Sequence, residues 1–201
     1  VLCVTFYCTV IRFKKFGVSI LLPLFGVDLD IATVLLAMIP FFTILFTPLF
    51  GALVDKVGKA TLWMIVGSAM VLVSHLIITF APQGEPMYAY IAIALLGIGY
   101  SLVPSAMWPS VPKIIPEKNL GTAYSLIYWV QNLGMWAVPI YVGRIFKKEI
   151  TEAGNISQEI TAAIHAEYVF IFLGIVAIAT AMMLYHSSRR HPELRLDEPA
   201  Q

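Results

Sequence analysis

Two groups of residues have the types and spacing of a site that would hold a polar small molecule without reacting with it. Tyr124, Tyr128 and Gln131 recur at i, i+4 and i+7, one face of a helix, with Ser125, Trp129 and Asn132 on the adjoining strip. Earlier in the chain, Tyr100, Pro104 and Trp108 share a face, flanked by Ser101 and Ser105. Aromatic walls with a few amides and hydroxyls are how a binding cavity orients a ligand. The same polar groups could instead bond neighbouring helices together. For a lone serine that packing role is the default, whereas the Gln131–Asn132 pair favours binding. A third group is cationic. Arg12 and Lys15 share a helix face, Lys14 points elsewhere, and all three interrupt an apolar run. They could meet a substrate carboxylate, or snorkel from a tilted helix toward water. His75 and Glu167 stand as lone ionisable residues in two other apolar runs. His75 reads as packed and hydrogen-bonded, and Glu167, near an outer helix end, as solvated.

Other chemistries lack their residues. No Walker motif, metal-ligand cluster or catalytic triad appears, and no paired aspartates or His-x-x-Glu pattern falls within the apolar runs. The sequence therefore predicts no enzyme, no cofactor and no metal. Cys3 and Cys8 have no ligand companions and read as buried free thiols. A net charge of +1 gives no electrostatic case for nucleic acid.

The elements that would position these residues are membrane helices. The chain is 59% hydrophobic and only 12% charged, where a soluble domain carries about 25% charged residues. Crossing a bilayer takes about 20 mostly apolar residues. Six segments satisfy this, at about 1–26, 31–54, 61–80, 88–112, 120–143 and 160–186, with a cytoplasmic tail over 188–201. The breaks at Asp28 and Asp30, Asp55 to Lys59, Pro82 to Pro86, Lys113 to Asn119 and Arg144 to Glu159 are short, so neighbouring helices run antiparallel. Val1 already lies in an apolar run without a basic leader, which reads as a fragment of a longer protein rather than as a signal peptide. Lys56, Lys59, Lys113, Lys118, Arg189, Arg190 and Arg195 fall on one side, and Arg144, Lys147 and Lys148 on the other. That bias places the first group, and both termini, in the cytoplasm. Trp63, Tyr88, Tyr141 and Tyr185 lie near span ends, as interfacial aromatics do.

Several spans carry helix breakers. Pro40 and Pro48 fall in the second, Gly97, Gly99, Pro104, Pro109 and Pro112 in the fourth, and Pro139 in the fifth. In lipid, carbonyls freed by proline need new partners. Spans interrupted at corresponding positions of a repeat point to a transport site. PLFGALVDK (Pro48 to Lys56) and PIYVGRIFKK (Pro139 to Lys148) form a faint repeat of this kind, with chance similarity an equal reading.

GALVDKVGK, Gly51 to Lys59, resembles the loop signature of the major facilitator superfamily through Gly51, Asp55, Lys56, Gly58 and Lys59. Ala60 departs where that family often has a second basic residue. LVSH (Leu72 to His75), GYSLVPSAMWPSV (Gly99 to Val111) and GTAYSLIYWVQNLG (Gly121 to Gly134) are similar to the C-terminal half of the lysosomal dipeptide transporter group of that superfamily and its bacterial relatives. The resemblance implies an all-α fold of six transmembrane helices, one half of a twelve-helix transporter. The first, second, fourth and fifth spans would line a central cavity and the third and sixth would face lipid. It implies movement of a small solute, dipeptides among the candidates, without ATP, with the N-terminal six-helix half and the lipid bilayer as partners. In that reading Arg12, Lys15, Tyr100, Ser101, Trp108, Tyr124, Tyr128, Gln131 and Asn132 line the cavity, and Gly51 allows close helix approach. Gly58 makes the cytoplasmic turn, and Asp55 gates by meeting a helix N-terminus across the interface of the halves. A bacterial inner membrane is favoured, a lysosomal one if the source is eukaryotic. The alternatives are another solute (a sugar, organic anion or drug) or a non-transporting sensor or assembly partner on the same fold.

Overall fold

The computed structural model describes residues 1–150 and 155–199. Part of the break expected at Arg144 to Glu159, residues 151–154, lies outside the described residues. Six long helices follow in order: α1 Leu2–Phe25, α2 Leu29–Val57, α3 Ala60–Phe80, α4 Pro86–Ile114, α5 Leu120–Glu149 and α6 Ile156–Arg190. No strand occurs among the described residues.

Local chemistry sets the ends. Gly26 takes a left-handed φ of 62° and its N–H closes on the Leu22 carbonyl, ending α1. Gly58, at φ 71°, does the same for α2. Pro86 opens α4 where its missing N–H costs nothing. The Asn155 side chain accepts the Gln158 amide at 3.1 Å and caps α6.

α2, α3, α4 and α6 are long and apolar enough by themselves to cross a membrane. The remaining two, α1 and α5, are diluted by Arg12, Lys14 and Lys15 and by the Tyr-Trp-Gln-Asn stripe. The expected interruption of spans is corrected here. α2, α4 and α5 run as continuous helices through Pro40 and Pro48, through Pro104, Pro109 and Pro112, and through Pro139, and α1 runs through Pro23.

The main seams are α3 with α4, α2 with α4, α1 with α6 and α3 with α6. On α3–α4, a Cβ at Gly67 would meet the Gly99 carbonyl at 3.1 Å, and one at Gly99 would meet the Gly67 carbonyl at 2.8 Å. The two backbones touch there, and only glycine permits it. Helix α5 is the least covered, burying only Gln131 and Val142 among its residues. Its apolar Leu126, Trp129, Leu133 and Trp136 stand exposed, as do Phe41, Ile44, Leu45 and Leu49 of α2. These two helices carry the faint proline-to-lysine repeat.

The segment expected as a cytoplasmic tail packs against the fold over the residues described. Residues 188–190 belong to α6, and Leu196 is 3% exposed, packed back on the helix ends. Glu167 is not solvated as expected, whereas His75 is packed and hydrogen-bonded as expected, with Glu167 as its partner. Both are fully buried, and His75 Nδ1 lies 2.7 Å from Glu167 Oε2. The edge of Phe13 and the face of Phe170 enclose the imidazole at centroid distances of 5.2 and 5.4 Å. The two thiols are free and buried, as expected.

Candidate functional site

The aromatic residues of α1, α4 and α5 form one connected wall. Tyr100 lies 5.9 Å from Tyr7, edge to face, and 6.0 Å from Phe6, stacked. The Trp108 indole N–H donates to the Tyr7 hydroxyl at 2.9 Å. Trp108 stacks on Tyr128 at 5.1 Å and tilts against Tyr124 at 5.9 Å. Such ring pairs contribute about 0.5–1.5 kcal/mol each beyond burial, so the wall is preorganised before any ligand arrives.

Proline explains one of its bonds. Pro112 has no N–H to give the Trp108 carbonyl, its partner one turn back. The Tyr124 hydroxyl donates to that carbonyl instead, at 3.4 Å, tying α5 to α4. Gln131 is 6% exposed and accepts from the Cys3 thiol at 2.9 Å, tying α5 to α1. Gly134, one turn on, lets α1 approach: a Cβ there would meet Val4 at 2.5 Å and Cys8 at 3.0 Å.

The residues expected from sequence separate. Tyr100, Trp108, Tyr124, Tyr128 and Gln131 come together. Asn132 sits exposed on the neighbouring strip of α5. Ser101 is fully buried and donates to its own helix at the Gly97 carbonyl, 2.8 Å away. Ser105 donates to the Ser101 carbonyl at 2.8 Å and to Thr47 of α2 at 3.2 Å. Both serines thus serve packing rather than the wall. Arg12 keeps its Nε buried with no hydrogen-bond partner among the described residues. Lys15 is exposed, with its ammonium 5.7 Å from the ring of its neighbour Phe16.

Sequence reasoning missed Cys3, Tyr7 and Lys14. Tyr7 follows Cys3 at i+4, and Lys14 follows Tyr7 at i+7, so the three share a face of α1. Tyr7, Ile11, Lys14 and Val18 form a half-exposed stripe on α1, matched by half-exposed Tyr100, Pro104, Trp108 and Val111 on α4. The spacing test that found the α5 stripe finds this one too. The cation on the wall's own face is therefore Lys14. A cavity of about 560 Å³ opens beside the wall between α1, α4, α5 and α6. Cys3 and Trp108 belong to both, and apolar Met107, Ile127, Val130 and Leu184 complete much of its lining.

The loop signature stands at the C-terminal end of α2. Asp55 and Lys56 are exposed in its last turn. Gly58 and Lys59 make the turn with φ of 71° and 56°, and the Trp63 indole N–H donates to the Gly58 carbonyl at 3.0 Å. Gly51 has nothing within 4 Å of where a Cβ would lie, so the close approach expected of it is not to another helix among the described residues.

Residues 1–139 match the family model of the Major Facilitator Superfamily. The lysosomal dipeptide transporter MFSD1 of Homo sapiens is 35% identical over 145 residues, 72% of this chain and 30% of that protein. The Mus musculus protein of the same name is 37% identical over the same extent, and that of Danio rerio 29% over 185 residues, 92% of this chain and 37% of the relative. The chain thus spans only about a third of these curated relatives. No solved structure matches. With the family match covering α1 to α4 and two thirds of α5, four helices apolar enough to cross a membrane, and the signature turn in place after α2, the chain is an integral membrane protein and belongs to the major facilitator superfamily.

Proposed function

We propose that this chain is one six-helix half of a transporter that moves a small solute, dipeptides in the first instance, by alternating access. The observation that carries the reading is the wall shared by α1, α4 and α5, in which Tyr7, Tyr100, Trp108, Tyr124 and Tyr128 surround a short polar edge. A zwitterionic peptide presents a carboxylate, an ammonium and an amide. Lys14, on the face of Tyr7, supplies a cation for the carboxylate. Gln131 supplies hydrogen bonds to the amide. The faces of Trp108 and Tyr128 receive the ammonium, a contact that contributes about 0.5–2 kcal/mol. An anionic partner for that ammonium belongs to the N-terminal half. Arg12, Lys15 and Asn132 take outer positions around the same opening, and the exposed faces of α2 and α5 meet the other half. Asp55 acts in gating at the cytoplasmic edge, away from the solute. The likeness to lysosomal dipeptide transporters supports peptides over sugars or drugs.

Uptake of labelled dipeptides into liposomes containing the full-length protein tests the reading. Saturable uptake, competed by unlabelled dipeptides and not by sugars, is expected. Saturable uptake of another solute class with no effect of dipeptides overturns the substrate. No uptake of any class, by correctly inserted protein, favours a sensor or assembly role on the same fold.

A further inference from the structure

Helix α3 begins badly by its own sequence. Its N-cap is Lys59, which has no side-chain oxygen to satisfy the first amides of the helix. The missing acceptor arrives from the far end of the chain. Asp197 Oδ1 accepts the Thr61 amide at 2.9 Å and the Thr61 hydroxyl at 2.8 Å. Oδ2 accepts the same hydroxyl at 2.9 Å and the Ser188 hydroxyl of α6 at 2.8 Å. The Asp197 carbonyl accepts the Lys59 amide at 2.8 Å. One residue thereby joins the start of α3, the signature turn and the end of α6, with its negative charge at the positive end of the α3 dipole.

The neighbouring residues repeat the pattern. Pro192 stops α6, a 3-10 turn covers Pro192–Leu194, and Arg195 turns the chain back at φ 49°. Leu196 is then buried, and Lys113 at the end of α4 donates to the Glu198 carbonyl at 2.8 Å. The segment crosses directly over Gly58, where a Cβ would collide with the Asp197 carbonyl and with Pro199. Gly58 is thus required twice, for its own φ and for what lies on top of it.

We propose that residues 191–199 form a strap, latched by Asp197, that fixes the signature turn and so sets how Asp55 and Lys56 are presented at the cytoplasmic edge. Asp197 is a positioning residue: it touches the turn and not the wall. Its bearing on transport rests on the reading given above. Release of the strap frees the first turn of α3 and the Gly58–Lys59 bend together, because one residue holds both, the turn through its carboxylate and the bend through its backbone carbonyl.

The test uses the full-length protein in permeabilised membranes and a bulky, hydrophilic maleimide. A Leu196→Cys variant should label at least about tenfold more slowly than Glu193→Cys, which starts exposed, since labelling needs local opening. Adding Asp197→Ala should remove that difference. Asp197→Asn keeps an acceptor for the Thr61 amide but loses one oxygen, and should fall between. Trypsin cleavage after Arg195 in protein with native Leu196 gives the same reading without disturbing the buried side chain, and Asp197→Ala should accelerate it. Equal labelling of the two single cysteines together with rapid cleavage of the parent overturns the strap. Slow labelling and cleavage that persist in Asp197→Ala overturn the latch. In uptake assays Asp197→Ala should change the maximal rate severalfold with KM held within about twofold, because the wall is untouched. A changed KM, or no change in either constant, overturns the link to gating. Absence of uptake in every variant with the labelling contrast intact counts against the transport reading alone and leaves the strap standing.

Discussion

Removing Glu167 should cost this fold more than removing almost any other single polar side chain. Glu167 and His75 are each 0% exposed and 2.7 Å apart, on α6 and α3. Their remaining atoms, Glu167 Oε1 and His75 Nε2, have no hydrogen-bond partner among the described residues, so each residue depends on the other. Glu167→Ala strips His75 of that contact inside a shell of Phe13 and Phe170. An unsatisfied buried imidazole costs about 1–3 kcal/mol if the pair is neutral, and about 3–5 kcal/mol if it is an ion pair. Polar contacts between membrane helices average only about 0.6 kcal/mol because the loosened chain usually finds another partner. Here the imidazole is enclosed by the rings of Phe13 and Phe170, which carry no hydrogen-bonding atoms, and this places the expected coupling at about 1.5–3 kcal/mol. The assay is reversible unfolding of purified protein in mixed micelles for Glu167→Ala, His75→Ala and the double variant. Glu167→Gln separates the two charge states: an amide oxygen preserves a neutral hydrogen bond but not an ion pair. His75→Leu combined with Glu167→Met, which removes both partners, should restore most of the stability. Single losses that add to within about 0.5 kcal/mol in the double variant would refute the reasoning, since independent residues behave in that way.

Three further outcomes follow from the same geometry. Gln131→Ala should raise the apparent KM for dipeptide uptake about two- to tenfold, the loss of a hydrogen bond to a neutral amide, while Ser101→Ala, whose hydroxyl serves only the Gly97 carbonyl, should leave KM unchanged. Tyr7→Phe should cost about 1 kcal/mol by deleting the acceptor of the Trp108 indole, read as a lower unfolding midpoint with altered tryptophan emission. Gly99→Val should abolish folded protein altogether, measured as loss of the monodisperse peak on detergent size exclusion, because its side chain would enter the Gly67 backbone.

Helix number and most helix positions were legible because apolar runs and proline or glycine breaks are local signals. The runs expected at about 31–54 and 120–143 became Leu29–Val57 and Leu120–Glu149. Charged ends such as Lys147 and Lys148 continue a helix beyond the apolar stretch, so hydropathy ends it early. That same shortfall misread Glu167. With the sixth span begun at 160 it lay near a helix end, but α6 starts at Ile156, about three turns before it. Its partner on α3 is far away in sequence, and no local pattern announces such a pair. The α5 stripe shows in its spacing, whereas the matching stripe on α1 is masked by the stronger local signal of the charges at Arg12 and Lys15. The role of Asp197 was illegible for a different reason: a polar segment after the last span has the composition of solvated chain whether or not its carboxylate reaches a helix start.

The backbone contact between Gly67 and Gly99 has a mechanical meaning. Where side chains separate two helices, small sliding motions are absorbed by changes of rotamer. Where carbonyl meets glycine, no rotamers exist to absorb them, and the two helices translate as one strut. Helices α3 and α4 are therefore the stiff beam of the six-helix body. Hydrogen exchange should be slowest along that glycine seam.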